Sequence, residues 1–465
     1  MAKKALSSSK RFGRNAELAK LGASVGTSYA TTAARKLFAS ADRKVELDHS
    51  REMKNAAQIA ERLGNMKGAM MKLGQMASYL DHGLPEPLRL ALSELQSHAP
   101  PMSSELAEQV VEGEFGKTVS ELFIEWDPTP IAAASIGQVH RAIIADPATG
   151  EQRAVAVKVQ YPGVAEAIAA DLKNADLLGA LLAFGFKSFN PDELVAEIKE
   201  RLSEELDYTL EAHNQTAFAE FYRDHPFIHV PEVIPHLSTT RVLTTELVSG
   251  ITWAELLERP QSDRDFVGEA IFRFVFRSLY RFLAFNGDPH PGNYIFHCDD
   301  NGVHKVSFLD YGLVKHFTRA EMDVFQNMIT AAAINHDYDA FREVIEGAGL
   351  LQKDAPVDTQ VAGEYFSLFY APVRESHEMT WTAEYSSSIV RHTFDRTSPI
   401  AQYSTVPRSF VFIQRINLGL YALLGELGAV GNYRRIAEEL WPMVNAGPST
   451  PLGELEAAWL AAKAG

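Results

Sequence analysis

The stretch Asn286–Leu313, NGDPHPGNYIFHCDDNGVHKVSFLDYGL, constrains the fold more than any other part of the chain. It reads as a turn, a short strand at Tyr294–His297, a polar tip at Asp299–Gly302, a second strand at His304–Leu309 and a tight Gly turn. Such a hairpin gathers three polar side chains, Asp288, Asn293 and Asp310, at one end. Asp288 can accept a proton from, or orient, an attacking hydroxyl or water. The Asn293 amide oxygen and the Asp310 carboxylate are hard oxygen ligands, suited to a magnesium ion that bridges triphosphate oxygens. Gly312 is expected to permit the backbone turn after the ligand. Alone, the segment is also readable as an ordinary hairpin with Asp and Asn turns. The chemical reading needs a lysine and a phosphate cover upstream.

Strand character begins near Pro130 and runs through IAAASIGQVHRAII, Ile131–Ile144. A turn at Asp146–Gly150 leads to a strand, Ala154–Gln160, that alternates around Lys158. A lysine so placed can hold phosphate groups as a point charge. The loop expected to cover them is Ala132-Ala133-Ala134-Ser135, with one glycine, Gly137, close by. Methyl groups restrict φ and close backbone approach, so the phosphate cradle is expected to be altered rather than absent.

Helical periodicity returns at Val164–Phe184 and Pro191–Phe221. The second segment carries Glu204, Glu205, Asp207 and Glu211. Asp207 and Glu211 are four residues apart, which places both on one face of a continuous helix. Glu211 is the chosen partner for Lys158, leaving Glu205 and Asp207 for another basic group. A solvated acidic face is the plain alternative.

Before these strands the pattern is helical from Val45 to Leu80, and again over Pro87–Ser97 and Ser104–Phe115. The first of these contains GAMMKLGQMASYL, where Met66, Met70, Met71 and Met76 surround Lys72, Gly74 and Gln75. A Met-rich core helix that happens to carry a lysine is one reading of it. The first forty residues hold eight lysines and arginines against one acid, Glu17. They suit a basic arm on an anionic membrane surface, an organellar transit peptide, or a solvated terminus.

Composition narrows the classes. At 465 residues the chain has room for two or three packed units. A net charge of −16 and a pI near 5.4 argue against nucleic acid as partner. The single cysteine, Cys298, excludes an intrachain disulfide and a Cys-based zinc site, and fits a reducing compartment. The longest apolar runs, Ile271–Phe285 and Phe410–Val430, are broken by Arg273, Arg277 and Arg281 and by Gln414, Arg415, Asn417 and Glu426. Both read as core helices with a polar stripe rather than membrane spans.

In this order the motifs resemble the UbiB family of atypical, protein-kinase-like proteins, also called the AarF/ADCK group. The resemblance covers about half the chain, from Lys72 to Leu313. It rests on Lys72-Leu73-Gly74-Gln75, the Ala132–Ser135 loop, AVKVQYPG with Lys158, Glu205-Leu206-Asp207 with Glu211, TTELVSG, Asp288-Pro-x-x-x-Asn293 and Asp310-Tyr311-Gly312. It implies an α+β, bilobal kinase-like fold: a small β-containing N-lobe over 126–250, a larger helical C-lobe over 251–465, and an N-terminal helical extension over 45–125 packed across the active site behind a basic arm. Lys72, in the tetrad with Gly74 and Gln75, would meet Glu205 and Asp207 and block a polypeptide substrate.

The implied cofactors are ATP and Mg2+, with Mn2+ as a substitute. Adenine would contact the strand end at Glu246 and Val248. Lys158, held by Glu211, would orient the phosphates; Asn293 and Asp310 would hold the metal, and Asp288, as a catalytic residue, would position the nucleophile. The resemblance further implies ATP hydrolysis or phosphorylation of a small or lipid-like acceptor in membrane-linked quinone (ubiquinone) or lipid metabolism. Its setting would be the cytoplasm, peripheral to the membrane's inner face, or an organellar matrix. A nucleotide-binding pseudokinase that switches or scaffolds a biosynthetic complex is the alternative, and conventional Ser/Thr protein phosphorylation a weaker one. Two departures stand out: Tyr311 where phenylalanine is commoner, and no C-terminal pair of membrane spans such as some bacterial members carry.

Overall fold

Alternation decides the first sheet. Val155, Val157 and Val159 are completely buried on one face of their strand, which leaves Lys158 on the other. The computed structural model describes residues 103–134, 136–146, 149–165, 204–394, 398–400, 402–404 and 407–464. Nearly all belong to one compact unit, Met102–Tyr161 with Glu204–Gly465. The helices expected at Val45–Leu80 and Pro87–Ser97, most of Val164–Phe184, and the site residues Lys72, Gly74, Gln75 and Ser135 lie outside the described residues.

The first sheet is antiparallel and built from β1 (Glu125–Ala133), β2 (Gly137–Ala145), β3 (Gln152–Gln160) and, after β4 (Ile228–His229), β5 (Val242–Glu246), in the order β1-β2-β3-β5. β1 starts five residues before the expected Pro130 and includes Pro128 and Pro130. Proline is tolerated there because β1 is an edge strand, and its register slips between Trp126 and Ala132. The expected run Ile131–Ile144 therefore folds back on itself. The Ala134 N–H donates to the Gly137 carbonyl at 2.9 Å and closes the turn.

Helix α1 (Ser104–Phe115) has the expected bounds and ends at Gly116 in the left-handed region, φ 64. Its Ala107, Val110 and Val111 pack on Val155, Val157, Val159 and Val242 to form the N-lobe core. Helix α2 (Tyr208–Phe221) differs from expectation. Asp207 is its N-cap, at φ −117 and ψ 93, with Oδ1 accepting the Thr209 N–H at 2.9 Å. The continuous helix expected over Pro191–Phe221 is thus interrupted, and Asp207 does not share a helix face with Glu211.

After a short helix at Trp253–Leu257, the helical lobe continues with α3 (Gln261–Arg277), which passes into a π-helical turn, Ser278–Phe282, stopped by Leu283 at φ 55. A helix running to Phe285 was expected; instead Ala284–Asn286 forms β6, antiparallel to β9 (Val314–His316). Between them lie β7 (Tyr294–Asp299) and β8 (Gly302–Phe308), the anticipated hairpin. β4 adds to β8 in parallel, giving the order β4-β8-β7. Phe274 of α3 stacks on Phe308 with centroids 3.7 Å apart. Helices α4 (Arg319–Ile329), α5 (Arg408–Leu427) and α6 (Pro451–Ala464) follow, with others between α4 and α5.

The polar stripe of α3 is a buried ion cluster. Arg273 is fully buried; its guanidinium donates to Glu456, Glu439 and Glu269 at 2.8, 2.8 and 2.7 Å. Arg277 donates to Glu456 at 2.8 Å, while Arg281 is exposed. Among the described residues no helix is long and apolar enough to cross a membrane.

Candidate nucleotide site

Lys158 projects from β3 toward α2, where its Nζ lies 2.8 Å from both Glu211 carboxylate oxygens. The same Nζ is 4.0 Å from Asp310 Oδ2 and 5.0 Å from the centre of the Tyr208 ring. Burial opposes the lysine's charge, but the Glu211 and Asp310 carboxylates outweigh it and hold the ammonium above its ordinary range. Burial pushes the Glu211 carboxyl up, against the pull of Lys158 and with repulsion from Asp310. The site therefore holds one cation between two carboxylates.

The pairing of β6 with β9 fixes the two ends of the segment carrying the other polar groups. The Gly287 N–H donates to the Leu313 carbonyl at 2.7 Å. Asn286 bridges the two loops: its Nδ2 donates to the Asp310 carbonyl at 2.5 Å, and its Oδ1 accepts the Asp288 N–H at 3.4 Å. Asn293 Nδ2 donates to the Asp288 carbonyl at 3.1 Å and to Asp288 Oδ2 at 3.0 Å. With that nitrogen committed, Oδ1 is the Asn293 atom suited to a metal. Asp310 Oδ1 accepts the Gly312 N–H at 2.9 Å, while Oδ2 is the oxygen nearer Lys158.

Gly312 answers to space rather than to φ, since it does not adopt a positive φ. A Cβ there would lie 3.3 Å from Asp310 Oδ1 and 3.5 Å from Glu211 Oε2. Asn214 Nδ2, one turn beyond Glu211, donates to the Tyr311 carbonyl at 3.2 Å and ties α2 to the Asp310 loop. Tyr311 is fully buried against Phe218, with ring centroids 5.0 Å apart, and its hydroxyl has no hydrogen-bond partner among the described residues.

The remaining expected residues fall into three groups. Ala132 and Ala133 are exposed on β1, and Ala134 closes the turn to β2. Gly137 is needed at that turn: a Cβ would overlap the Val159 carbonyl and come within 2.9 Å of the Tyr208 hydroxyl. Glu246 ends β5 with its carboxylate turned to His229 at 3.3 Å and Arg153 at 3.6 Å, which leaves backbone for any adenine contact. The Leu247 N–H makes a last sheet bond to Ala154 at 3.2 Å, and Val248 follows, half-buried. Glu205 is half-buried just before the Asp207 cap. Its expected partner Lys72 lies outside the described residues.

Sequence reading passed over Asn286 and Asn214. Asn214 stands three residues after Glu211 on α2, a helical spacing that puts both on one side and was available as a signal. Asn286 carried no such signal, because its role depends on the β6–β9 pairing.

The donor set fits magnesium. Among the described residues no group of three or more His, Cys, Asp or Glu could hold a metal. Magnesium bound through phosphate oxygens and water needs only one or two protein ligands, a number that Asp310 and Asn293 could supply.

Residues 94–345 match the ABC1 atypical kinase-like domain. Among curated proteins, the chain is 35% identical over 285 residues to the atypical kinase COQ8B, mitochondrial, of Rattus norvegicus, covering 60% of this chain and 52% of that one. It is 30% identical over 321 residues to the atypical kinase COQ8, mitochondrial, of Saccharomyces cerevisiae, covering 67% and 62%. The chain thus spans about half the length of the curated relatives it matches. A solved structure, the complex of Rv3197 with erythromycin from Mycobacterium tuberculosis, is similar with a TM-score of 0.62 and 31% identity, over 87% of this chain and 100% of that one. The fold is kinase-like, and the chain belongs to the ABC1 atypical kinase-like family, the UbiB group.

Proposed function

We propose that this protein is an ATP- and magnesium-dependent atypical kinase or ATPase of the UbiB type. The observation that carries the reading is the Lys158–Glu211 pair at 2.8 Å with Asp310 4.0 Å away. A phosphate-binding lysine, its glutamate clamp and a metal-binding carboxylate are what phosphoryl transfer requires of a protein, since positioning and charge neutralisation do most of the work. The chemistry magnesium supplies when bound would be charge neutralisation at the phosphates. Asn293 and Asp310 would hold the ion, and Lys158 would fix the α- and β-phosphates.

Asp288 would take the proton from an acceptor hydroxyl or water. As that oxygen bonds to the γ-phosphorus, the bond to ADP breaks and its electrons leave with ADP. The acceptor class that suits the family is a small or lipid-like molecule in quinone or lipid metabolism. The relatives' names, COQ8 and COQ8B, support the quinone branch. The similar structure of Rv3197 in complex with erythromycin supports trying small amphipathic molecules as probes.

The test is ATP turnover by the purified protein with and without Mg2+, and with and without anionic liposomes. The expected result is Mg2+-dependent turnover that Asp310→Asn and Lys158→Ala abolish while staying folded. Tight ATP binding without turnover in all conditions would replace the enzyme reading with a nucleotide-controlled switch for a biosynthetic complex. The tight two-strand turn at Ala134–Gly137, in place of an open glycine-rich loop, is the observation that favours this second reading.

A further inference from the structure

We infer that helix α5, through Gly419, sets the position of the Asp288 loop, so that Gly419 is a positioning residue for the reaction proposed above. The contact is direct. A Cβ on Gly419 would overlap Pro289 Cγ and lie 3.2 Å from its Cβ and 3.5 Å from its Cδ. Ile416, Leu420 and Leu423 of the same helix line a crevice bounded across from them by Asp288, Pro289 and Asn293. The crevice holds only about 10 Å3, barely room for one water, so a methyl added at Gly419 has no void to enter and must displace Pro289.

Both sides of this seat are held. On the helix side, Ser386 Oγ donates to the Tyr421 carbonyl at 2.6 Å, and a Cβ on Gly425 would lie 2.7 Å from that same Oγ. On the loop side, the His290 N–H donates to the Asp288 carbonyl at 2.8 Å and the Asn293 N–H to the His290 carbonyl at 2.9 Å. A push on Pro289 therefore reaches Asp288 and Asn293 together. Helix α5 lies beyond residues 94–345, which match the family domain, so the C-terminal region supplies the support. Lys158 and Glu211 stand on β3 and α2, outside this loop, and should keep their places.

The test compares Gly419→Ala, Gly419→Ala with Pro289→Ala, and Gly363→Ala in the full chain. Gly363 is an equally crowded helical glycine, packed on Tyr338, and controls for general loss of packing. Expected for Gly419→Ala is a kcat lower by roughly tenfold to a hundredfold, as a shift of about 1 Å would give, with KM for ATP within about twofold. Removing Cγ and Cδ of Pro289 should restore most of that loss, and Gly363→Ala should leave kcat unchanged. An unchanged kcat in Gly419→Ala, or an equal loss in Gly363→Ala, overturns the inference. If the wild type turns over no ATP, the proposed function fails by itself and amide exchange at Asn293 decides the inference. Faster exchange in Gly419→Ala alone supports it; equal rates in both variants overturn it.

Discussion

Lys158 and Glu211, separated by 53 residues, meet through two contacts of 2.8 Å, one to each carboxylate oxygen. Glu211 is 7% exposed and Lys158 19%, so the pair is largely screened from water and its two charges depend on each other. The contact joins the strand that carries the lysine to the helix whose Asn214 holds the Asp310 loop. Three separate pieces of chain thereby share one position.

Breaking that pair should separate folding from function. Glu211→Gln keeps the shape but leaves Lys158 to Asp310, which draws the ammonium away from the phosphates. We expect destabilisation of about 2–3 kcal/mol, somewhat less than for a fully buried pair, because Lys158 reaches solvent. ATP turnover should fall by at least about tenfold, a small loss for a misplaced phosphate ligand. Denaturant unfolding and steady-state kinetics on the same preparation check both parts.

Tyr311→Phe should do the opposite. The Tyr311 hydroxyl is buried without a hydrogen-bond partner among the described residues, a cost that phenylalanine does not carry. The variant should be more stable by about 1 kcal/mol, with turnover unchanged, because Asp310 and the backbone it depends on are untouched. A loss of stability in thermal unfolding would show that the hydroxyl has a partner.

Acid should weaken the cluster that anchors α6. Burial alone would raise the Glu456 carboxyl, but His225, Arg277 and Arg273 hold it well below its ordinary value of 4.5. A folded value below the unfolded one means that the unfolded chain takes up the proton first. The stability from this group is thus complete above about pH 4.5 and is lost as pH falls toward the depressed folded value. Glu456→Gln should cost about 3–5 kcal/mol at pH 7, because it takes the carboxylate from buried Arg277 and one of three from buried Arg273, and should flatten the acid dependence. Melting temperatures across pH 3–7, on the order of one reading per half unit, check the slope.

What was legible in the chain follows from how local each signal is. The hairpin was readable because alternation and turn residues lie within fifteen positions of one another, and it stands within two residues of its expected bounds. Helix α1 was readable because a glycine able to adopt φ 64 follows its last residue. The break at Asp207 was missed because an N-cap aspartate inside an acidic run looks like one more helical carboxylate. Strand β1 was missed in part because Pro128 and Pro130 argue against a strand unless the strand is known to lie at an edge.

The site divides the same way. Lys158, Glu211, Asp288, Asn293 and Asp310 came from residue chemistry and family order, and the structure brings Lys158, Glu211 and Asp310 together, and Asp288 with Asn293. Asn286 and the Arg273–Glu456 link were illegible, the latter because its partners are 183 residues apart. The role of Gly419 was illegible for the same reason. Its importance lies in a proline from another part of the chain.

The most direct test of the central claim is calorimetric titration of ATP into the wild type, Lys158→Ala and Asp310→Asn, each with and without Mg2+. The account predicts that Mg2+ tightens binding to the wild type and that this gain vanishes in Asp310→Asn. Lys158→Ala should weaken ATP with or without the metal. Equal ATP affinity in all three proteins, or no binding to the wild type, would contradict a nucleotide site built on Lys158, Glu211 and Asp310.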